Sequence, residues 1–187
     1  MPAFAQDEGS VDVESVSVLT IFNPGLSHER KIGRNQTLYG QVFMNTSIYL
    51  GYSAALGNTS DIYFEPALSA QYCYYYNAKR RSDKGKRTAL NSMNYLTFLY
   101  EATFSDNRID VSDYEEEKVR PIHQLGICWG IQRNYASRFS LNLQLGMGYF
   151  YTKVTTPDAA GQPVAGHTGG LNTLGQINIG IWLNKRK

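Results

Sequence analysis

The chain is predicted to be all-β: a single eight-stranded antiparallel up-and-down transmembrane β-barrel with its lumen filled by side chains. Three observations carry this. Apolar and polar residues alternate with period two over six long segments, the pattern of strands that hold each face in a different environment. The polar face is built from Gly, Asn, Gln and Ser rather than the Lys and Glu that a water-facing surface needs. Only 18% of the 187 residues are charged, while 13% are aromatic, with 14 tyrosines.

The elements follow in order. Residues 1–10 read as a signal-peptide remnant and N-terminal tail, because Ala3-Phe4-Ala5 has the small-x-small form that precedes a secretory cleavage site. Residues 11–184 read as the barrel domain. Val11–Phe22 and Leu26–Ile32 are predicted to form a hairpin around Asn23-Pro24-Gly25, a good turn sequence. Two strands are preferred here over one, since eight is even and brings both ends of the domain to the same side.

The next strand runs from Leu38 to Tyr52, with Val42, Met44, Ile48 and Leu50 on one face and Gln41, Asn45 and Ser47 on the other. Ile62–Tyr76 follows, then Leu96–Phe104, Gln124–Gln132, Phe139–Thr152 and Gln176–Leu183. Aromatic residues sit toward the strand ends on the apolar face (Tyr52, Phe64, Tyr74, Tyr76, Phe104, Tyr149, Tyr151), as a girdle at a membrane interface does. Gly33-Arg34-Asn35-Gln36 and Asn134-Tyr135-Ala136-Ser137 are tight turns, whereas Ser53–Asp61, Ser105–Lys118 and Thr155–Gly170 read as longer polar loops. Long and short connections alternate, as external loops and periplasmic turns do; the long basic connection Asn77–Ser92 departs from that alternation.

Composition excludes several classes. No run of ~18 apolar residues exists, so no membrane-spanning helix is predicted. A net charge of +2 lacks the concentrated basic face that nucleic-acid binding requires, and no nucleic-acid partner is expected. Two cysteines are too few for a disulfide framework. Cys73 and Cys128 share the lumen register but lie on strands separated by a third. Two spacings of about 4.8 Å exceed the roughly 7 Å reach of a disulfide, so both read as small lumen filler.

Two stretches resemble a known family. Pro24-Gly25-Leu26-Ser27-His28-Glu29-Arg30 with its short turn, and Tyr74-Tyr75-Tyr76-Asn77-Ala78-Lys79-Arg80-Arg81 continuing to Asn91-Ser92-Met93-Asn94-Tyr95-Leu96, resemble the small outer-membrane beta-barrel domain proteins of Bacteroidota. The resemblance implies a barrel in the cell outer membrane, reached after secretion to the periplasm. It implies little about activity, because most of that family has none assigned. Many outer-membrane barrels end on an aromatic residue, whereas this chain reads Trp182-Leu183-Asn184-Lys185-Arg186-Lys187.

Candidate functional residues form three groups. Glu29, Glu65 and Glu101 fall on the lumen face with Lys31 and Arg138 as counter-charges, so a lumen ion-pair network is expected, since an unpaired buried charge costs several kcal/mol. The acidic loop holding Asp110, Asp113, Glu115, Glu116 and Glu117 either gathers divalent cations beside anionic lipid or is simply solvated. The basic turn of Lys79, Arg80, Arg81, Lys84, Lys86 and Arg87 either docks an anionic partner or headgroup or is likewise solvated.

No catalytic residue is assigned. A lipid-modifying barrel needs a His beside a Ser on one face. None of His28, His123 and His167 has a Ser positioned so by sequence, since Ser27 and His28 are strand neighbours facing opposite ways. Gly146 and Gly148 relieve lumen crowding rather than bind phosphate.

The expected protein is therefore a monomeric outer-membrane barrel acting structurally or through its external loops. It contacts outer-membrane lipid and an extracellular or periplasmic protein partner, and needs no cofactor or metal. The other readings are a narrow pore or transporter, a lipid-modifying outer-membrane enzyme, and a soluble lipocalin-like lipid-binding barrel.

Overall fold

A computed structural model describes residues 11–53, 57–105 and 119–184, with 47–53, 57–63, 157 and 163 by backbone alone. Eight strands close into one antiparallel ring in chain order. They are β1 (Val16–Phe22), β2 (Gly25–Gly33), β3 (Gln36–Ser53), β4 (Gly57–Tyr74), β5 (Asn94–Ser105), β6 (Arg120–Asn134), β7 (Phe139–Pro157) and β8 (Pro163–Trp182). The ring closes where β8 pairs with β1, from Val18↔Trp182 to Phe22↔Ile179.

The alternation sorts side chains as the sequence predicts. Lumen residues of β3 and β4 such as Thr37, Tyr39, Gln41, Ser69 and Gln71 are buried, and their neighbours Leu38, Val42, Leu68 and Tyr72 are exposed. The outer surface is apolar on every side: Met147 is 68% and Leu171 79% exposed. Phe64, Tyr74, Phe104, Tyr149 and Tyr151 of the expected girdle all face outward.

Three features differ from expectation. First, residues 11–15 are not strand: they fold beneath the ring, where Asn91 accepts from Glu14 N at 2.8 Å and donates to Glu14 O at 2.8 Å. That side chain takes the place of a neighbouring strand. Second, two of the expected loops are mostly strand. β3 and β4 stay in register to Ser53↔Gly57, and β7 and β8 to Pro157↔Pro163, leaving the turn around Gly161 (φ 77°). Ladder bonds extend each hairpin wherever small and β-branched residues permit an extended backbone. Third, the Asn77–Ser92 connection holds a short helix, α1 (Ala78–Asp83), and a 3-10 turn, Ala89–Asn91.

The first hairpin is much shorter than the others. β2 meets β3 only up to Gly25↔Phe43, so β3 and β8 both run on past the β1–β2 turn. Asn23, the residue at that turn, ties both long neighbours together. Its Nδ2 donates to Ile177 O at 3.2 Å and its Oδ1 accepts from Thr46 N at 3.1 Å. Its φ of 53° is left-handed, a region asparagine tolerates better than most residues.

Asn23→Ala is expected to cost about 2–3 kcal/mol, from two lost hydrogen bonds at about 1 kcal/mol each and the left-handed backbone. Asn23→Gly should cost about 1 kcal/mol less. Denaturant unfolding of the three proteins checks the order, and faster hydrogen exchange at Thr46 N locates the effect.

Candidate functional site: the lumen

The lumen is layered from the end that carries the chain termini. A hydrophobic cap of Val13, Tyr39, Cys73, Tyr75, Met93 and Tyr95 closes that end, with Ala78 of α1 packed into it. The Tyr75 and Tyr95 rings lie 5.4 Å apart, inclined at 51°. Tyr95 fits because its cross-strand partner is Gly130, where an added Cβ would lie 2.2 Å from the ring. Beside the cap, Val16, Val18 and Trp182 form a second cluster with Leu90, and Trp182 Nε1 donates to Tyr135 O at 2.8 Å.

Glu29 sits at the centre of this end, almost fully buried. Thr37 Oγ1 donates to Glu29 Oε1 at 2.5 Å, the Tyr75 hydroxyl donates to the same oxygen at 2.5 Å, and Gln132 Nε2 donates to Oε2 at 3.2 Å. Tyr75 follows β4 directly; burial first, and then the Glu29 charge, push its phenol well above its ordinary range, so it remains a donor. The free space beside Glu29, bounded by Val16, Tyr39, Gln132 and Asn142, is about 10 Å³, room for one water at most.

Above Glu29 lies a layer of amides. Tyr39 and Asn178 both donate to Gln41 Oε1, at 2.9 and 3.4 Å, and Gln144 Nε2 donates to Gln71 Oε1 at 3.0 Å. Tyr95 donates to Asn142 Oδ1 at 2.6 Å.

Beyond the amide layer the lumen opens into a polar cavity of about 380 Å³, walled by Glu101, Gln124, Gln144, Asn172, Leu174 and Gln176 among others. Leu174 lies flat on the wall because Gly126 and Gly148 beneath it have no side chains; a Cβ there would come within 2.4 and 2.7 Å of Leu174 Cδ1. The expectation that strand glycines relieve lumen crowding holds at these positions. The expectation of a fully packed lumen holds only for the end bearing the termini. β1 and β2 stop short and contribute no side chains to the far half.

The expected ion-pair network does not assemble. Lys31 pairs instead with Asp12 at the rim, both partly exposed, because residues 11–15 fold back beside β2. Arg138 lies in the β6–β7 turn (φ 69°), its guanidinium 5.6 Å from the Trp182 ring centre. Glu65 accepts from Ser105 Oγ near the far rim, and Glu101 stands on the cavity wall. The carboxylates are thus distributed along the lumen, and Glu29 is satisfied by neutral donors.

Of the basic turn, Arg81 and Arg87 donate to Arg87 O and Asn134 O, which ties the connection to β6. Lys79, Arg80, Lys84 and Lys86 are exposed. Asp110, Asp113, Glu115, Glu116 and Glu117 lie outside the described residues, as do residues 1–10.

One Ser–His contact is absent from the sequence reading. Ser17 and His28 face each other across β1 and β2, with Ser17 Oγ and His28 Nδ1 hydrogen-bonded at 2.9 Å on the outer surface. Cross-strand register, not chain proximity, brings them together. Glu29, the next residue in the chain, faces the lumen on the other side of the wall, and among the described residues no carboxylate is hydrogen-bonded to His28 as the orienting acid of a triad would be. His123 pairs with Tyr100 at 2.8 Å, and His167 stacks on Tyr151. Cys73 and Cys128 are free and buried.

Comparison of the chain with family models, with curated proteins and with solved structures returns no match.

Replacing Glu29 by leucine leaves the buried donors Thr37 Oγ1 and Gln132 Nε2 short of an acceptor, at about 1–3 kcal/mol for each group left unpaired, while the Tyr75 hydroxyl keeps Gln132 Oε1 at 2.8 Å. Glu29→Leu should therefore lower stability by about 2 kcal/mol or more. Lys31→Ala, which breaks only an exposed pair, should stay within about 1 kcal/mol. Urea titrations followed by tryptophan fluorescence separate the two.

Proposed function

We propose that this protein is an integral outer-membrane barrel with a structural or interaction role exercised at the end opposite its termini, without catalysis. The observation that carries the reading is the inside-out distribution of side chains. Polar groups fill the lumen while Leu, Ile, Met and Phe cover the outside of the ring. Water-soluble monomers rarely expose contiguous apolar surface of more than a few hundred Å², whereas lipid requires it. β3 through β8 each have 12 or more residues, against the ~9–11 that a tilted strand needs to cross a membrane. The resemblance of residues 24–30 and 74–96 to outer-membrane barrel domains agrees with this.

The packed end supports a non-conducting role. The cap and the Glu29 layer are buried, with about 10 Å³ free beside Glu29, and this packing speaks against a pore. The far end carries the β3–β4 and β7–β8 hairpins and the ends of β5 and β6 at Ser105 and Arg120, the surface proposed to meet an external partner. On this reading the exposed lysines and arginine of the 79–87 turn face the periplasm, and lipid is the partner of the outer belt.

Refolded in detergent, the protein should run faster unboiled than boiled on gel electrophoresis, as a compact barrel does. Solubility without detergent, with no such difference, would overturn the reading. In planar bilayers the wild type should show no conductance above baseline. A Tyr75→Ala/Tyr95→Ala variant that keeps the fast unboiled band should conduct, because it removes two of the three cap tyrosines.

A further inference from the structure

We infer that the far half of the lumen is a binding site, open sideways between β3 and β8, for an amphiphile carrying a primary ammonium head. Three observations lead there. The first is the notch. Above Asn23 no strand pairs with the facing edges of β3 and β8 among the described residues, because the β1–β2 hairpin ends at the level of Phe43 and Ile179.

The second is where the cavity goes. Asn45 and Thr46 of β3 and Thr173 to Gln176 of β8 line the same 380 Å³ space as Glu101 and Gln144. Thr173 and Gly175 belong to the outer register of β8 and are exposed, so the cavity passes through the plane of the wall.

The third is the chemistry of the lining. Among the described residues that line it, Glu101 is the only carboxylate, and none is a lysine, arginine or histidine. The other polar side chains of that wall, Gln124, Gln144, Asn172 and Gln176, are neutral amides. A carboxylate set among neutral amides suits a group with a positive charge and several N–H donors, which a primary ammonium supplies. Outside the notch the surface is apolar: Phe22 and Leu26 form its sill, and Leu171 and Ile177 stand beside it on β8. The head thus enters the lumen and the tail lies along the outer face. The tail's placement rests on reading that face as lipid-facing; the head's placement does not.

The shared chemistry belongs equally to a long-chain amine and to an ethanolamine lipid. The full chain in maltoside micelles is titrated with dodecylammonium, short-chain phosphatidylethanolamine, methylammonium and decanoate, while the side-chain amide NMR signals of Gln144, Asn172 and Gln176 are followed. Saturable shifts with dodecylammonium or the ethanolamine lipid are expected, and the stronger of the two identifies the source. Methylammonium should be at least tenfold weaker and decanoate silent. Glu101→Gln, keeping the fast unboiled band, should weaken binding about tenfold or more, and Asp12→Asn should leave it unchanged.

Equal binding of methylammonium overturns the amphiphile, equal binding of decanoate overturns the charge selection, and absence of saturable shifts overturns the site. If the protein proves soluble without detergent, the membrane reading fails by itself. The same titration in buffer then still tests the head site.

Discussion

A barrel of eight strands has an interior only wide enough for side chains, and any polar group placed there must find its partner among the few others present. Glu29 meets that constraint without a counter-ion. Thr37 from β3, Tyr75 from the β4–β5 connection and Gln132 from β6 converge on one carboxylate, so four separate parts of the chain are fixed relative to one another by a single group. The cap residues then pack on a layer already held in place, and the amides above it hydrogen-bond outward from the same level. The closed end of the molecule, and with it the proposed absence of conduction, depends on that convergence.

The far end obeys the opposite logic. Where β1 and β2 end, the ring loses two strands' worth of inward side chains, and the amide layer no longer has material above it to pack against. What results is a polar space walled by amides, with Glu101 the one carboxylate among its described lining residues. One chain therefore holds a closely packed compartment and an open one, divided at the amide layer of Gln41, Gln71 and Gln144.

Much of the ring can be read from the sequence because period-two alternation is a one-dimensional signal. Val42, Leu68, Ile127 and Met147 face outward for the same reason that Gln41, Ser69, Cys128 and Gln144 face inward. Side-chain direction along a strand alternates whatever the neighbours are. Partnerships are a different matter. That Lys31 turns to Asp12, that Ser17 meets His28, and that Tyr75 rather than a cation answers Glu29 all depend on cross-strand register and on how residues 11–15 and 77–92 fold under the ring. Alternation carries none of that. Tyr39, Tyr75 and Tyr95 lie on the lumen register and were open to recognition there, but a tyrosine-rich sequence draws attention to the outer girdle instead. The cavity is invisible for a related reason: it arises from the length of β1 and β2 relative to β3 and β8, which hydropathy does not encode.

The shortness of β1 also bears on how the ring is made. Seven of the eight strand pairings join neighbours in sequence, and β3 with β4 or β7 with β8 can zip from their own turns along their full lengths. The eighth joins the two ends of the domain, over a brief ladder with an irregularity between Thr20 and Phe22. Reinforcement comes from beside the ladder: Asn184 bonds Ser17 N at 3.0 Å and Ser15 O at 2.7 Å, and Asn23 grips β8 from above. Such a seam bears the whole loop-closure entropy of the domain on its fewest rungs. It is the last stretch to form and the first to breathe, and any lateral insertion of another strand into this wall enters there.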